Sequence, residues 1–242
     1  MQSYIWNSTI PICIRHESSP TPYLILVPRL SYFPLLLPRL ILFFGATESE
    51  NNAALTLTSF SYEGILLKNL PVGLLYDLYQ PSLPWPLSLG DGPLYEMHDT
   101  FINSVKEADF IRNGTAKGVI SMSKEDSTQL WNSTLLNPPT LLKHVPLRLY
   151  VPSTPDTTTG LSSFTTVQTL VTPLTASQEV RSLGSALNLM LPSLFPNSKN
   201  AANAKPILHG APIPFHTPLE ELMREAAFAD GWLHICIRIL HE

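Results

Sequence analysis

Charged side chains are scarce in this chain. Asp, Glu, Lys and Arg make up 14% of its 242 residues, against about a quarter in ordinary globular domains. Hydrophobic residues make up 44%, which is enough apolar surface to build cores and excludes a disordered chain. The charge balance is slightly acidic, at a formal net of -4, so no basic face for nucleic acid is implied. Cysteine is nearly absent. Cys13 and Cys236 are the two in the chain, too few for a disulfide framework and suited to a reducing cytoplasm. Residues 1–15 lack a basic start followed by an apolar core and a small-residue cleavage site, so no secretory leader is expected. The sequons at Asn7, Asn113 and Asn132 are then expected to carry no glycan. Residues 23–44 are apolar enough to suggest a membrane span, but they contain Pro28, Pro34, Pro38, Arg29 and Arg39. Repeated prolines break the bonding a span needs, and two charges at bilayer depth are expensive. A strand at 23–27 followed by a short helix at 35–44 is expected instead.

What is present centres on residues 101–114. Phe101, Ile102, Val105 and Ala108 recur at helical spacing, with Met97 and Ile111 flanking the same arc. Asp99 or Thr100 is placed to cap the start and Asn113-Gly114 to close the end. Lys106 falls at the rim of the apolar arc, one turn before Phe110 and beside Glu107. Periodicity alone makes it a solvated lysine on an amphipathic helix.

The parts on either side follow one plan. In the first, an opening segment ends in the apolar alternation of a strand at Ile10–Arg15, a Pro/Ser loop follows at 18–22, and then come the strand and helix already placed. A polar loop at 48–52, short paired strands at 60–64 and 65–68 meeting at Gly64, a helix opened by Pro71 and an extended segment at 84–89 complete it. A second helix of the middle opens with Ser123-Lys-Glu-Asp126, and Pro138-Pro139 stops helix. Beyond it, strands at 144–151 and 167–171 flank a Ser/Thr-rich loop, followed by a helix at 183–191, a polar loop at 198–204, strands around Gly210, a helix opened by Pro218 and a final strand at 231–240. Tyr62-Glu-Gly64 matches Leu208-His-Gly210, and the interval from Pro71 to Trp85 equals that from Pro218 to Trp232. This is an internal duplication of an α+β plan.

Motifs for catalysis are weak. Cys13 and Cys236 each sit in Ile-Cys-Ile-Arg, an alternating strand in which cysteine is a small buried residue more often than a nucleophile. His209, His216 and His234 lack tight metal-ligand spacing and clustered cysteine or carboxylate partners. Gly90-Asp-Gly92 is a turn, since no Gly-Lys-Ser/Thr follows. No cofactor and no metal site are expected.

Val105-Lys-Glu-Ala-Asp-Phe-Ile-Arg-Asn-Gly114, followed by Met122-Ser-Lys-Glu-Asp-Ser-Thr-Gln-Leu-Trp131, resembles the central helical segment of the autophagy protein 5 family. The resemblance runs on through Pro28-Arg-Leu-Ser-Tyr-Phe-Pro, Pro71-Val-Gly-Leu-Leu-Tyr-Asp-Leu78, Leu208-His-Gly-Ala-Pro-Ile-Pro-Phe215 and the stretch from Pro218 to Cys236. It implies an α+β fold of two ubiquitin-like β-grasp domains flanking a helix-rich middle, with bounds at 1–92, 93–142 and 143–242. Two departures stand out: residues 131–138 are shorter than in the family by about a dozen residues, a helix's worth, and Lys68-Asn69 replaces its Lys-Trp pair.

The same resemblance implies a non-catalytic scaffold. Lys106 takes the place of the isopeptide acceptor for the ubiquitin-like autophagy protein 12, delivered through autophagy proteins 7 and 10. A helix of autophagy protein 16 then binds in a groove, and the assembly promotes transfer of autophagy protein 8 to phosphatidylethanolamine. Location in the cytoplasm and peripherally at the preautophagosomal membrane is implied. Two other classes stay open from the residues: an unconjugated β-grasp interaction adaptor, and a thiol enzyme using Cys236, which rapid labelling of the native thiol would favour.

Overall fold

A computed structural model of the chain describes residues 2–17, 19–45, 57–91, 97–122, 144–153, 164–201 and 203–240. It divides into two compact units, one holding Ser3–Met97 and the other His98–Pro152 with Phe164–Glu242.

In the first unit α1 (Gln2–Asn7) precedes the hairpin of β1 (Thr9–His16) and β2 (Ser19–Pro28). A 3-10 turn (Phe33–Leu36) leads into α2 (Leu37–Gly45), and β3 (Ser59–Tyr62), β4 (Ile65–Leu66), α3 (Val72–Tyr79) and β5 (Trp85–Gly90) follow. The sheet runs β2-β1-β5-β3-β4, with β1 and β5 parallel at its centre. Ile12, Ile14, Leu40, Phe44, Leu75 and Trp85 share its core. Along β5 the buried Trp85, Leu87 and Leu89 alternate with exposed Pro86 and Ser88, the pattern of a strand with one packed face.

Two local expectations shift here. β2 begins at Ser19, so most of the anticipated loop is strand. Pro20 and Pro22 are tolerated because β2 is the edge of the sheet, where a missing N–H need not break a ladder bond. The helix α1 spans six residues, too few for a periodic signal to emerge. No helix among the described residues is long and apolar enough to cross a membrane; residues 23–44 form the end of β2, the 3-10 turn and most of α2.

The second unit holds α4 (Met97–Asn113), α5 (Lys117–Ile120), β6 (Leu147–Pro152), β7 (Phe164–Gln168), α6 (Leu183–Met190), β8 (Ala204–Leu208), β9 (Ala211–Pro212), α7 (Leu219–Ala226) and β10 (Leu233–Ile239). Its sheet order, β7-β6-β10-β8-β9 with β6 and β10 parallel, repeats that of the first. Each sheet is a β-grasp, so the duplication read in the sequence is real in topology.

The recurring Tyr62-Glu-Gly and Leu208-His-Gly have a physical cause. Tyr62 pairs with Ile65 and Leu208 with Ala211, leaving two-residue turns. Both central residues of each turn have positive φ: 50° and 79° at Glu63 and Gly64, 50° and 84° at His209 and Gly210. That is the turn whose twist suits a tight hairpin, and it requires glycine or a tolerant residue. The paired tryptophans, however, are not equivalent. Trp85 opens β5 and joins the first core, whereas Trp232 lies one residue before β10 and packs with Ala108 and Ile111 of α4.

The capping expectation for α4 also fails. The helix starts at Met97, so Asp99 and Thr100 lie within its first turn. Its end is as expected: Gly114 has a φ of 72°, and its N–H donates to the Phe110 carbonyl at 2.8 Å. In the sheet, β7 starts at Phe164, ahead of the expected 167, and Val171 makes an isolated bridge to Val145. The helix expected to open at Ser123, the stop at Pro138-Pro139 and the polar loop at 48–52 lie outside the described residues.

Candidate functional site

The helix carrying Lys106 lies in the second unit. Phe101, Ile102, Val105, Ala108 and Ile111 of α4 are all buried, the apolar arc that its spacing anticipates. It rests on a face that β10 cannot leave bare: Leu233 through Ile237 are all buried, unlike the alternation of β5. Arg148 pairs with His234 and Tyr150 with Cys236 across the parallel β6–β10 ladder, so these four side chains share one face of the sheet.

That face meets α4 through polar groups. The Ser104 hydroxyl donates to Asp230 Oδ2 at 2.8 Å, and the Trp232 indole N–H donates to the Ser104 carbonyl at 2.9 Å. Arg148 donates through Nη1 to Ser104 Oγ at 3.2 Å, through Nη2 to the Glu107 carboxylate, and through Nε to Gln168 Oε1 at 3.0 Å. Its guanidinium carbon sits 3.8 Å from the centroid of the Trp232 ring, a cation–π contact of about 1–2 kcal/mol when desolvated. One turn further along, Arg112 donates to the carbonyl of Gly231. Gly231 has a φ of 83°, and a Cβ there would come within 2.5 Å of Arg112 Nη2. Glycine is therefore favoured by conformation, and a Cβ there would also displace the Arg112 guanidinium from its bond.

Behind this contact lies a buried chain of titratable groups. His234 Nε2 is 2.9 Å from Asp230 Oδ2, and its Nδ1 is 2.8 Å from the Tyr150 hydroxyl. Burial pushes the Asp230 carboxyl upward, but His234, the Ser104 hydroxyl and the Trp232 backbone N–H outweigh it and leave the carboxyl below its ordinary value. A carboxylate only accepts, so Nε2 of His234 carries the proton of that bond. Burial raises the Tyr150 phenol, with Asp230 adding and Arg148 opposing. Burial lowers the Arg112 guanidinium against the opposing pull of Asp109 and Asp230. The expectation that His234 lacks a clustered carboxylate partner is thus corrected: Asp230, four residues upstream in the loop before β10, is its hydrogen-bond partner.

Lys106 itself is half-buried at the rim of the arc. Among the described residues it makes no hydrogen bond or ion pair. At about 100° of rotation per residue, it leaves the helix on the rim opposite Ser104 and Glu107. Phe110, one turn along, is 58% exposed. The helix beneath Lys106 is tied down on its far side.

The remaining candidates are dispersed. Cys13 and Cys236 are buried in β1 and β10, with no disulfide between them. His209 stacks on Phe228 at 4.4 Å with Nε2 2.9 Å from the Ala226 carbonyl, and His216 is exposed. No group of three or more His, Cys, Asp or Glu among the described residues could hold a metal ion. Ser104, Arg148, Asp230 and Trp232 were missed from sequence. The available signal was the alternation Leu147-Arg-Leu-Tyr, which puts Arg148 and Tyr150 on the face away from the apolar residues.

Fold and site define the class: a tandem ubiquitin-like protein whose second β-grasp sheet carries a docked helix. Family models described as the UblA domain, the alpha-helical bundle region and the UblB domain of autophagy protein ATG5 match residues 5–90, 95–138 and 144–237. Autophagy protein 5 of Sclerotinia sclerotiorum is 56% identical over 275 residues, with all of both chains covered. That of Chaetomium globosum is 48% identical over 254 residues, covering 98% of this chain and 88% of the relative. The crystal structure of Kluyveromyces marxianus Atg5 has the same fold, with a TM-score of 0.73, 20% identity and 98% coverage of each chain. The chain belongs to the autophagy protein 5 family, and its role is in autophagy.

Proposed function

We propose that the chain is the non-catalytic acceptor subunit of a ligase-like complex, joined through Lys106 to the C-terminal glycine of autophagy protein 12. The observation that carries this reading is Lys106 itself, half-exposed and without a polar partner among the described residues, on a helix fastened to the second sheet. The motif around it is that of a family to which the chain belongs. A lysine amine is almost wholly protonated at neutral pH, so the conjugating enzyme, autophagy protein 10, supplies the reactive thioester and the site for proton removal. The deprotonated Nζ attacks the glycyl carbonyl, the C–N bond forms, the C–S bond breaks, and the thiolate leaves with the amine proton passed to base or solvent. The conjugate then binds a helix of autophagy protein 16, whose apolar residues recur one turn apart. The assembly promotes lipidation of autophagy protein 8 with phosphatidylethanolamine. Its place is the cytoplasm and, peripherally, the preautophagosomal membrane.

Reconstitution with autophagy proteins 12, 7 and 10 tests this, comparing the parent with Lys106→Arg on a denaturing gel. Arginine keeps the charge and removes the nucleophile. A shifted band in the parent alone is expected. A band in both would move the bond to another lysine, and a band in neither would favour an unconjugated adaptor.

A further inference from the structure

Lys106 emerges from a helix seated on an apolar arc, Phe101, Ile102, Val105, Ala108 and Ile111, the last two packed on Trp232. Apolar contact is non-directional, so such a seat sets which face of the helix is buried and leaves its fine rotation to directional bonds. Among the described residues four such bonds hold α4 at Ser104 and Glu107, on either side of Lys106, and two of the four come from Arg148. Arg148 reaches Ser104, two residues before Lys106, and Glu107, one residue after it. We propose that Arg148 is the positioning residue for Lys106. By tying Ser104 and Glu107 to the Trp232 ring, it fixes the rotation of α4 and hence the direction from which the amine meets a glycyl thioester. The inference rests on Lys106 being the acceptor.

The guanidinium is suited to this in three ways. It is held from behind by Gln168 at 3.0 Å and from below by the indole at 3.8 Å. Its fork geometry supplies bonds to two side chains of α4 at once, which an ammonium on a flexible stem cannot reproduce. Its side chain is 16% exposed whereas that of Glu107 is 57% exposed, so the clamp reaches from the packed face to the rim. Ser104 is tethered a second time through Asp230 at 2.8 Å. Lys106 leaves about 100° around the axis from Glu107 and about 160° from Ser104, clear of the clamp and yet set by it. Such placement affects rate because a misplacement of about 1 Å can cost about 100-fold in a reaction that depends on orientation.

The test is a single-turnover assay with the conjugating enzyme charged with modifier as its thioester, run over a range of its concentration. The chains compared are the parent, Lys106→Arg, Arg148→Lys and Glu107→Gln. Arg148→Lys should lower the saturating rate of the folded protein about tenfold with little change in half-saturating concentration, alongside a lower thermal midpoint from the lost bonds to Ser104 and Gln168. Glu107→Gln should lower the rate several-fold with the midpoint little changed. A merely structural arginine would move the midpoint and leave the saturating rate of folded protein alone. Parental saturating rates in both variants, or losses confined to half-saturation, would overturn the positioning role while Lys106→Arg still abolished conjugation. If Arg148→Lys does not fold, Glu107→Gln at an exposed position decides alone. Conjugation of Lys106→Arg, or none of the parent, would remove the acceptor reading and this inference with it.

Discussion

Asp230→Asn is the sharpest probe of the contact between α4 and the second sheet. The substitution keeps the shape of the side chain and removes its charge. In the parent the carboxylate accepts from the Ser104 hydroxyl at 2.8 Å, from His234 Nε2 at 2.9 Å and from the Trp232 N–H at 3.3 Å, at 3% exposure. Hydrogen bonds to a charged group are worth about 1.5–3 kcal/mol each, and an amide oxygen keeps part of that. The amide nitrogen of asparagine also faces a donor where the carboxylate had an acceptor. The expected loss is about 2–4 kcal/mol at neutral pH. The sign with pH follows from the lowered folded value of the Asp230 carboxyl, held down by His234, Ser104 and Trp232 against burial. Stability from such a group is present above the unfolded carboxylate value, about 3.9, and is lost as pH falls through the folded one. Arg112 and Tyr150 also surround the site and stay protonated in the acid range. Urea unfolding of parent and variant should therefore show a full gap above about pH 5 that narrows below about pH 4. Equal stability at neutral pH, or a gap that does not change in acid, would refute the reasoning.

Other expectations come from the same contact and from the strands. Trp232→Ala, at 0% exposure, should cost about 3–5 kcal/mol in chemical denaturation, and amide exchange along α4 should quicken. Gly231→Ala places a Cβ 2.5 Å from Arg112 Nη2 at a φ of 83°; a loss of at least about 1–2 kcal/mol is expected in thermal unfolding, and an unchanged midpoint would contradict the geometry. Cys13 and Cys236, at 8% and 3% exposure, should react slowly with a thiol reagent until denaturant is added. Rapid native labelling of Cys236 would revive a thiol chemistry.

Much of this architecture was legible in the sequence because the signals were local and repeated. The Glu63-Gly64 and His209-Gly210 turns need positive φ, so their residues announced the duplicated hairpins. The arc of Phe101, Val105 and Ala108 announced α4. What stayed hidden depends on register or on distant partners. Equal spacing made Trp85 and Trp232 look alike, yet β10 begins one residue later than β5 does and Trp232 faces α4. Periodicity placed Lys106 on its rim, but nothing local says that Arg148, 41 residues from Glu107 in sequence, would hold that helix. Asp230 and His234 are four apart across a turn and a strand start, a spacing that brings side chains together on a helix but has no fixed meaning elsewhere.

The central claim is that Lys106 carries the isopeptide bond. Its most direct test is peptide mass mapping of the reconstituted conjugate after proteolysis, locating the branched peptide. The modifier's C-terminal glycine on Lys106, and on no other lysine, is the predicted result. A branch at Lys117 or any other lysine, with Lys106 recovered unmodified, would contradict it.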